Sequence, residues 1–216
     1  MSMEKKLARE LAAMSLSAST GQCTQLAQYV ALLVKWNRVY NLTAVRDPEQ
    51  MLSEHLLDSL SLTPYVSGPR LLDVGTGGGL PGIPLAILLP EIGFFLLDAN
   101  AKKTRFVQQA VIELKLNNVE VVCARIEAYH PQNDVTQIVS RAFSSLRQFA
   151  DGVSHMCQGG TELLAMKGKY PTEELEELKS IETEVIELKI PAIAAKRHLV
   201  RFTPGSRTPK VGTGHD

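Results

Sequence analysis

The sequence predicts an α/β protein, a mostly parallel sheet of seven strands preceded by a helical extension, on three observations. From residue 70 onward, short apolar strands alternate with helix-length amphipathic runs. The first of those strands, residues 70–74, runs straight into a turn holding five glycines, Gly75, Gly77, Gly78, Gly79 and Gly82, after which an apolar helical run resumes at Ile83. Residues 1–65 carry helical periodicity instead, and Pro64, Gly68 and Pro69 punctuate the change. The expected division is a helical N-terminal extension over 1–65 and the α/β domain over 66–216.

The elements follow in order. Residues 3–14 alternate charged and apolar residues at helical spacing. A second helix carries Leu26, Tyr29, Val30, Leu33, Asn37 and Tyr40 on one stripe, with Trp36 anchoring its packing. Asp47-Pro48-Glu49-Gln50 is a helix start, an N-cap carboxylate with Pro at the first helical position, and that helix is expected to run from Met51 to about Leu62. Strands are expected at 70–74, 94–98, 119–124, 135–140, 162–166, 184–190 and 198–202, with helices at 83–89, 101–116, 145–156 and 173–181. The last two strands have no helix between them, so they pair antiparallel.

Composition narrows the class. With 216 residues, 44% hydrophobic and 21% charged, the chain suits a soluble globular protein. No apolar run reaches the ~18 residues of a membrane span, and the N-terminus lacks a signal-peptide core, so a cytoplasmic protein is expected. Cys23, Cys123 and Cys157 are odd in number and widely spaced, which fits free thiols, not a disulfide framework or a metal site. The net charge is +0, so no global field attracts a nucleic acid. The balance is uneven, however: residues 173–187 hold seven glutamates, whereas 188–215 hold no acid and six basic residues, Arg207 and Lys210 among them. Such a tail either holds phosphates or is a solvated terminus.

The strand ends carry the chemistry. Asp73 stands just before the glycines, at the carboxyl end of a strand, where open α/β sheets bind ligands. Asp98 ends the next strand 23 positions after Gly75, close to the ~20-residue offset at which a carboxylate accepts from ribose hydroxyls. Ile126 and Glu127 follow the third strand, where an adenine ring would lie. This succession predicts an adenosine-containing cofactor. Counted from Gly75, the dinucleotide pattern fails at Leu80; counted from Gly77, it matches but starts two residues late. The charge of Asp73 opposes a pyrophosphate and suits a cation such as the sulfonium of S-adenosylmethionine. An NAD-dependent oxidoreductase is the weaker reading.

Several segments resemble the glucose-inhibited division protein B family, bacterial 16S ribosomal RNA (guanine-N7) methyltransferases. They are Lys35-Trp36-Asn37 with Tyr40-Asn41-Leu42-Thr43, His55-Leu56-Leu57-Asp58-Ser59, the turn from Asp73 to Gly82, and Ser140-Arg141-Ala142-Phe143. The resemblance runs from about Leu26 to Leu199. It implies a Rossmann-like S-adenosylmethionine-dependent methyltransferase fold, transfer of a methyl group to N7 of a guanine in 16S ribosomal RNA, and cofactor contacts at Gly75, Leu80, Ile126, Glu127 and Arg141. To these the residue-level reading adds Asp73, Gly77 and Asp98. The family commonly has Pro or Ala where Gly78 stands, which predicts a looser turn here.

His55 and Asp58, at i and i+3 on one helical face, are expected near the substrate, either as a structural pair or as positioning groups. Arg125, Arg141 and Lys167 each follow a strand, so they are expected to converge at one sheet edge and hold a phosphate backbone. No metal is expected. The expected partner is 16S ribosomal RNA, in the small subunit or an assembly intermediate, met by a monomer away from any membrane. The alternatives are methyl transfer to another substrate and a non-catalytic RNA-binding assembly factor.

Overall fold

The computed structural model describes residues 1–205 apart from Ala142 and Ala192. The tail residues Arg207 and Lys210 therefore lie outside the described residues. Helices α1 (Met3–Ala13) and α2 (Thr20–Tyr40) open the chain. Ser19 and Gln22 form a capping box at the start of α2, and Asn41 ends it in the left-handed region. Leu26, Tyr29, Val30, Leu33 and Asn37 form its buried face, as the periodicity predicts; Tyr40 is the exception, exposed beyond the end of the stripe.

The third helix departs from expectation. Asp47 caps it and Pro48 opens it, but α3 (Pro48–Met51) passes into a π-helical segment, Leu52–Leu57, before α4 (Asp58–Leu60). The apolar spacing accounts for this. Met51 and Leu56, and likewise Leu52 and Leu57, lie five apart, and all four are buried; a wider turn keeps both pairs on the inner face.

Strands β1 (Arg70–Val74), β2 (Gly93–Asp98), β3 (Val119–Cys123), β4 (Gln137–Ser140), β5 (Glu162–Lys167), β6 (Thr183–Leu188) and β7 (Arg197–Phe202) form one sheet in the order β3-β2-β1-β4-β5-β7-β6. All neighbouring pairs are parallel except those made by β7, which is antiparallel to both β5 and β6. The expected last pair is thus present, inserted so that the later strand sits inside the earlier one. Helices α5 (Gly82–Leu88), α6 (Ala101–Glu113), α7 (Leu146–Val153) and α8 (Thr172–Glu176) complete the layers. The acidic helix expected to reach 181 stops at Glu176, and the strand expected from 135 begins at Gln137.

Alternation along the strands divides the core in two. Leu71, Leu96, Val139, Leu164 and Leu199 face one layer, packed with α1, α2, the 48–60 helical segment, α5 and α6. Leu72, Leu97, Ile138, Leu163 and Val200 face the other, packed with α7 and Leu178. The N-terminal helices thus share a core with one face of the sheet. The strand order reverses between β1 and β4, and the glycine turn follows β1 at that point.

That turn is not loose. The hydroxyl of Tyr29, buried in α2, donates to the Gly78 carbonyl at 2.6 Å, and a Cβ on Gly78 would meet Leu33 Cδ1 at 3.3 Å. Helix α2 therefore presses directly on the loop. Tyr29→Phe leaves that carbonyl without its buried partner and is expected to destabilise the protein by about 1–2 kcal/mol in chemical denaturation.

Candidate cofactor and substrate sites

The glycine turn is built around Asp73, whose side chain is completely buried. Its Oδ2 accepts from the Thr76 hydroxyl at 2.7 Å and from the Gly82 amide at 2.9 Å. One oxygen thereby ties the end of β1 to the first turn of α5. Gly82 permits this approach: a Cβ there would lie 2.1 Å from Leu96 Cδ2 and 2.9 Å from Asp73 Oδ2. Asp73 Oδ1 is buried without a hydrogen bond. Burial pushes the carboxyl up to about 6, against the opposing pull of its two hydrogen bonds. Asp73 was expected to meet a cationic ligand directly; the structure gives it a different task, holding the loop from beneath.

Asp98 holds the same loop from the other side. Its Oδ2 accepts from the Gly77 amide at 2.9 Å, and Oδ1 accepts from the Asn100 amide at 2.8 Å. Gly77 has φ +60°, a conformation that favours glycine and turns its N–H toward that carboxylate. Asp98 is half-buried and lines a cleft of about 250 Å³ with Gly75, Ala99, Ala124, Ile126 and Phe143. Gly152 of α7 leaves room for two of these walls: a Cβ there would meet Phe143 at 3.5 Å and Ile126 Cδ1 at 3.7 Å. The cleft thus pairs an acidic floor, whose oxygens keep lone pairs for ribose hydroxyls, with apolar walls for a planar base. These features fit the adenosine half of S-adenosylmethionine.

The other expected cofactor residues fall elsewhere. Leu80 is buried in the core, Glu127 is exposed in the short 3-10 turn Ile126–Ala128, and neither lines the cleft. Arg141 belongs to a second, polar cavity of about 290 Å³, with His55, Asp58, Lys167, Arg197 and His198. Arg141 of this cavity and Phe143 of the cleft are two positions apart in the chain.

The polar cavity is organised by Asp58. Its Oδ2 accepts from Arg141 Nη1 at 3.1 Å, and its Oδ1 lies 3.4 Å from Arg197 Nε without a hydrogen bond. Burial raises the carboxyl, and the two guanidinium groups oppose that shift. His55, on the π-helical segment, shares a 2.6 Å hydrogen bond between Nε2 and the Thr43 hydroxyl, and burial, with the Arg141 charge, lowers its pKa, which favours the neutral ring. Nδ1 of His55 and of His198 are buried without a partner among the described residues. Lys167 pairs with Glu174 at 2.7 Å and donates to the Phe143 and Ser144 carbonyls at 3.3 and 3.4 Å. It braces the loop that walls the cofactor cleft.

The expected convergence of Arg125, Arg141 and Lys167 needs correction. Arg141 and Lys167 do meet, but the third cation is Arg197, and all three are ion-paired. Arg125 is exposed beyond β3, which stands three strands from β4, about 14 Å at ordinary strand spacing. Sequence reasoning missed Arg197 because it precedes a strand. Only the antiparallel direction of β7 brings a strand's beginning to the edge where the parallel strands end.

Fold and cleft together define a Rossmann-like, S-adenosylmethionine-dependent methyltransferase. Among solved structures, a SAM dependent methyltransferase from Aquifex aeolicus aligns with TM-score 0.55 and 19% identity, covering 78% of this chain and 96% of that one. TrmK of M. capricolum, solved with S-adenosyl-homocysteine, aligns with TM-score 0.55 and 9% identity over 72% of this chain and 71% of that one. These likenesses establish the fold. The chain belongs to the rRNA small subunit methyltransferase G (GidB) family, whose profile matches residues 22–200. The Ribosomal RNA small subunit methyltransferase G of Laribacter hongkongensis (strain HLHK9) is 52% identical over 204 residues, 94% of this chain and 99% of that protein. Its namesake in Pseudomonas aeruginosa (strain LESB58) is 51% identical over 199 residues, 90% and 92% of the two chains.

Two outcomes follow from the carboxylates. Asp98→Ala removes an acceptor for ribose and the anchor of Gly77, and is expected to weaken S-adenosylmethionine binding by about 1.5–3 kcal/mol in calorimetry. Asp73 has a folded pKa of about 6, above its ordinary value of 3.8, so the folded state holds this proton more tightly than the unfolded chain does. The stability that the protonated form contributes is present below about pH 4 and lost as pH rises through 6, on the order of 2–4 kcal/mol. Asp73→Asn cannot ionise, so the stability of the variant relative to wild type is expected to rise between pH 4 and pH 7 in thermal unfolding.

Proposed function

We propose that the chain transfers the methyl group of S-adenosylmethionine to N7 of a guanine in 16S ribosomal RNA, in the cytoplasm, with the small ribosomal subunit or an assembly intermediate as partner and one chain supplying both cavities. The observation that carries this reading is the apolar-walled cleft at Asp98 beside a polar cavity lined by His55, Asp58, Arg141, Lys167 and Arg197, with Phe143 and Arg141 two positions apart in the chain. When bound, the cofactor supplies an electrophilic methyl on a sulfonium.

The residues have positioning work to do. Guanine N7 already carries an in-plane lone pair and loses no proton on methylation, so a general base would contribute nothing. Holding N7 in line with the methyl group makes the displacement effectively unimolecular, an effect that supplies ~7–11 kcal/mol. The Asp58 carboxylate, held by Arg141 and Arg197 in the lining of the polar cavity, is the group there suited to accept from the N1–H and amino group of guanine, donors that adenine lacks in that arrangement. Positive charge passes from sulfur to the purine as the methyl moves, and the Asp58 carboxylate favours that passage. His55, bound to Thr43, shapes the cavity. With no helix among the described residues long and apolar enough to cross a membrane, nothing in the fold opposes the cytoplasmic placement.

Mapping 7-methylguanine in 16S ribosomal RNA from cells with and without the protein tests the reading; an unchanged modification pattern sinks it. In single-turnover transfer at saturating RNA, wild type and His55→Gln are both expected to show rates nearly flat from pH 6 to 9. A wild-type rate that climbs tenfold per unit below about pH 6.5 and levels above it, with the climb absent in His55→Gln, points to an imidazole base instead.

A further inference from the structure

A third feature lies outside both cavities, where the end of α2 meets the start of α6. The two helices run antiparallel: Gln25 Nε2 donates to the Leu114 carbonyl at 2.9 Å near one end, and Trp36 packs on Phe106 with ring centroids 5.6 Å apart toward the other. One more turn along each helix, about 6 Å, brings Tyr40 and Lys102–Lys103 to the same end. That end belongs to the ligand-binding edge of the sheet, because α6 starts just past Asp98 and Ala99 of the cofactor cleft.

Six cations lie in the segments that meet toward this end: Lys35 and Arg38 on α2, Arg46 in the loop that follows, and Lys102, Lys103 and Arg105 on α6. Arg38 and Arg46 line one shallow cavity together with Asn37 and Asn41. Among the described residues none of the six side chains makes an ion pair, whereas Arg141, Lys167 and Arg197 of the polar cavity all do. The nearest acids along the chain are already engaged, Asp47 as the cap of α3, Glu49 with Lys6, and Asp98 with the Gly77 and Asn100 amides. In a chain with no net charge, this is a local field that only a polyanion would neutralise. The face also carries an aromatic stack. Tyr40 lies on Trp36 with centroids 5.3 Å apart and planes 25° from parallel, Trp36 lies on Phe106, and Tyr40, 36% exposed, is the outermost ring.

The face is continuous with the substrate cavity. The loop that carries Arg46 also carries Thr43, whose hydroxyl binds His55 of that cavity at 2.6 Å. We propose that this basic, aromatic face of the N-terminal extension and α6 holds the unpaired RNA strand flanking the target guanine, its phosphates on Arg38, Arg46, Lys102 and Lys103 and one base stacked on Tyr40. Unpaired RNA is the occupant that fits, because a base inside a duplex offers no free face to a tyrosine ring. This inference rests on the methyltransferase reading above.

The test uses the full chain and unmodified 16S ribosomal RNA, naked and assembled into small subunits. An Arg38→Gln, Arg46→Gln, Lys102→Gln triple variant is expected to raise KM for RNA at least tenfold, with kcat and the Kd for S-adenosylmethionine within twofold of wild type. Its log–log salt dependence should be shallower by about two, since each phosphate contact contributes roughly 0.7–0.9 to that slope. A control variant with Lys5→Gln, Lys115→Gln and Lys189→Gln removes three other exposed cations without ion pairs and should leave KM and slope unchanged. Tyr40→Ala should raise KM severalfold, and Tyr40→Phe should restore it. An unchanged KM and slope in the triple variant, or an equal loss in the control, overturns the surface; a silent Tyr40→Ala overturns the stacked base. A wild-type protein that methylates neither form of the RNA overturns the methyltransferase reading itself, which separates the two failures.

Discussion

One buried carboxylate oxygen holds the ligand-binding edge together. Asp73 Oδ2 receives the Thr76 hydroxyl and the Gly82 amide, so the end of β1, the glycine turn and the start of α5 form a single hydrogen-bonded unit. Burying an acid with one oxygen unpaired is costly, and the raised pKa records that cost. The arrangement is retained because the charge sits at the amino end of α5, next to orphan amides that favour it. Removing the acid would free the glycine loop that walls one side of the cleft at Gly75.

From that anchor the rest is arranged by contact. Asp98 grips the turn from β2 while keeping lone pairs for a ligand, and Tyr29 presses it from α2. The N-terminal helices therefore support the turn beside the cleft, although none of their described residues lines it. The helical extension enters the substrate cavity more directly, through His55 and Asp58 on the π-helical and α4 segments. Widening the helix there lets Met51, Leu52, Leu56 and Leu57 all stay inside, and the same turn presents His55 to Thr43 and to the cavity.

Charge is handled in two ways at this edge. In the polar cavity the cations are ion-paired: Arg141 and Arg197 share Asp58, and Lys167 pairs with Glu174. Such pairing fixes side chains in place and suits recognition of one base. Toward the end of α2 and the start of α6 the cations make no ion pairs among the described residues, and all but the half-buried Lys103 are exposed, which suits a partner read by its charge more than by its edges.

The sequence by itself determined the elements and the kind of ligand. Strand and helix periodicities are local, so all seven strands could be placed within two residues, and glycines with acids at successive strand ends pointed to a nucleoside-containing cofactor without any knowledge of packing. Only the tertiary structure decided which groups face the ligand. Asp73 and Asp98 read alike as strand-end acids, yet one lies beneath the turn and the other in the cleft, because Gly82 lets α5 close over Asp73. Arg125 and Arg197 exchanged places in the expected cluster because strand order and direction are set by non-local pairing: β3 took the outer edge, and β7 ran backward between β5 and β6. Periodicity along a strand reports which face a residue occupies; its neighbours across the sheet depend on strands that are distant in sequence.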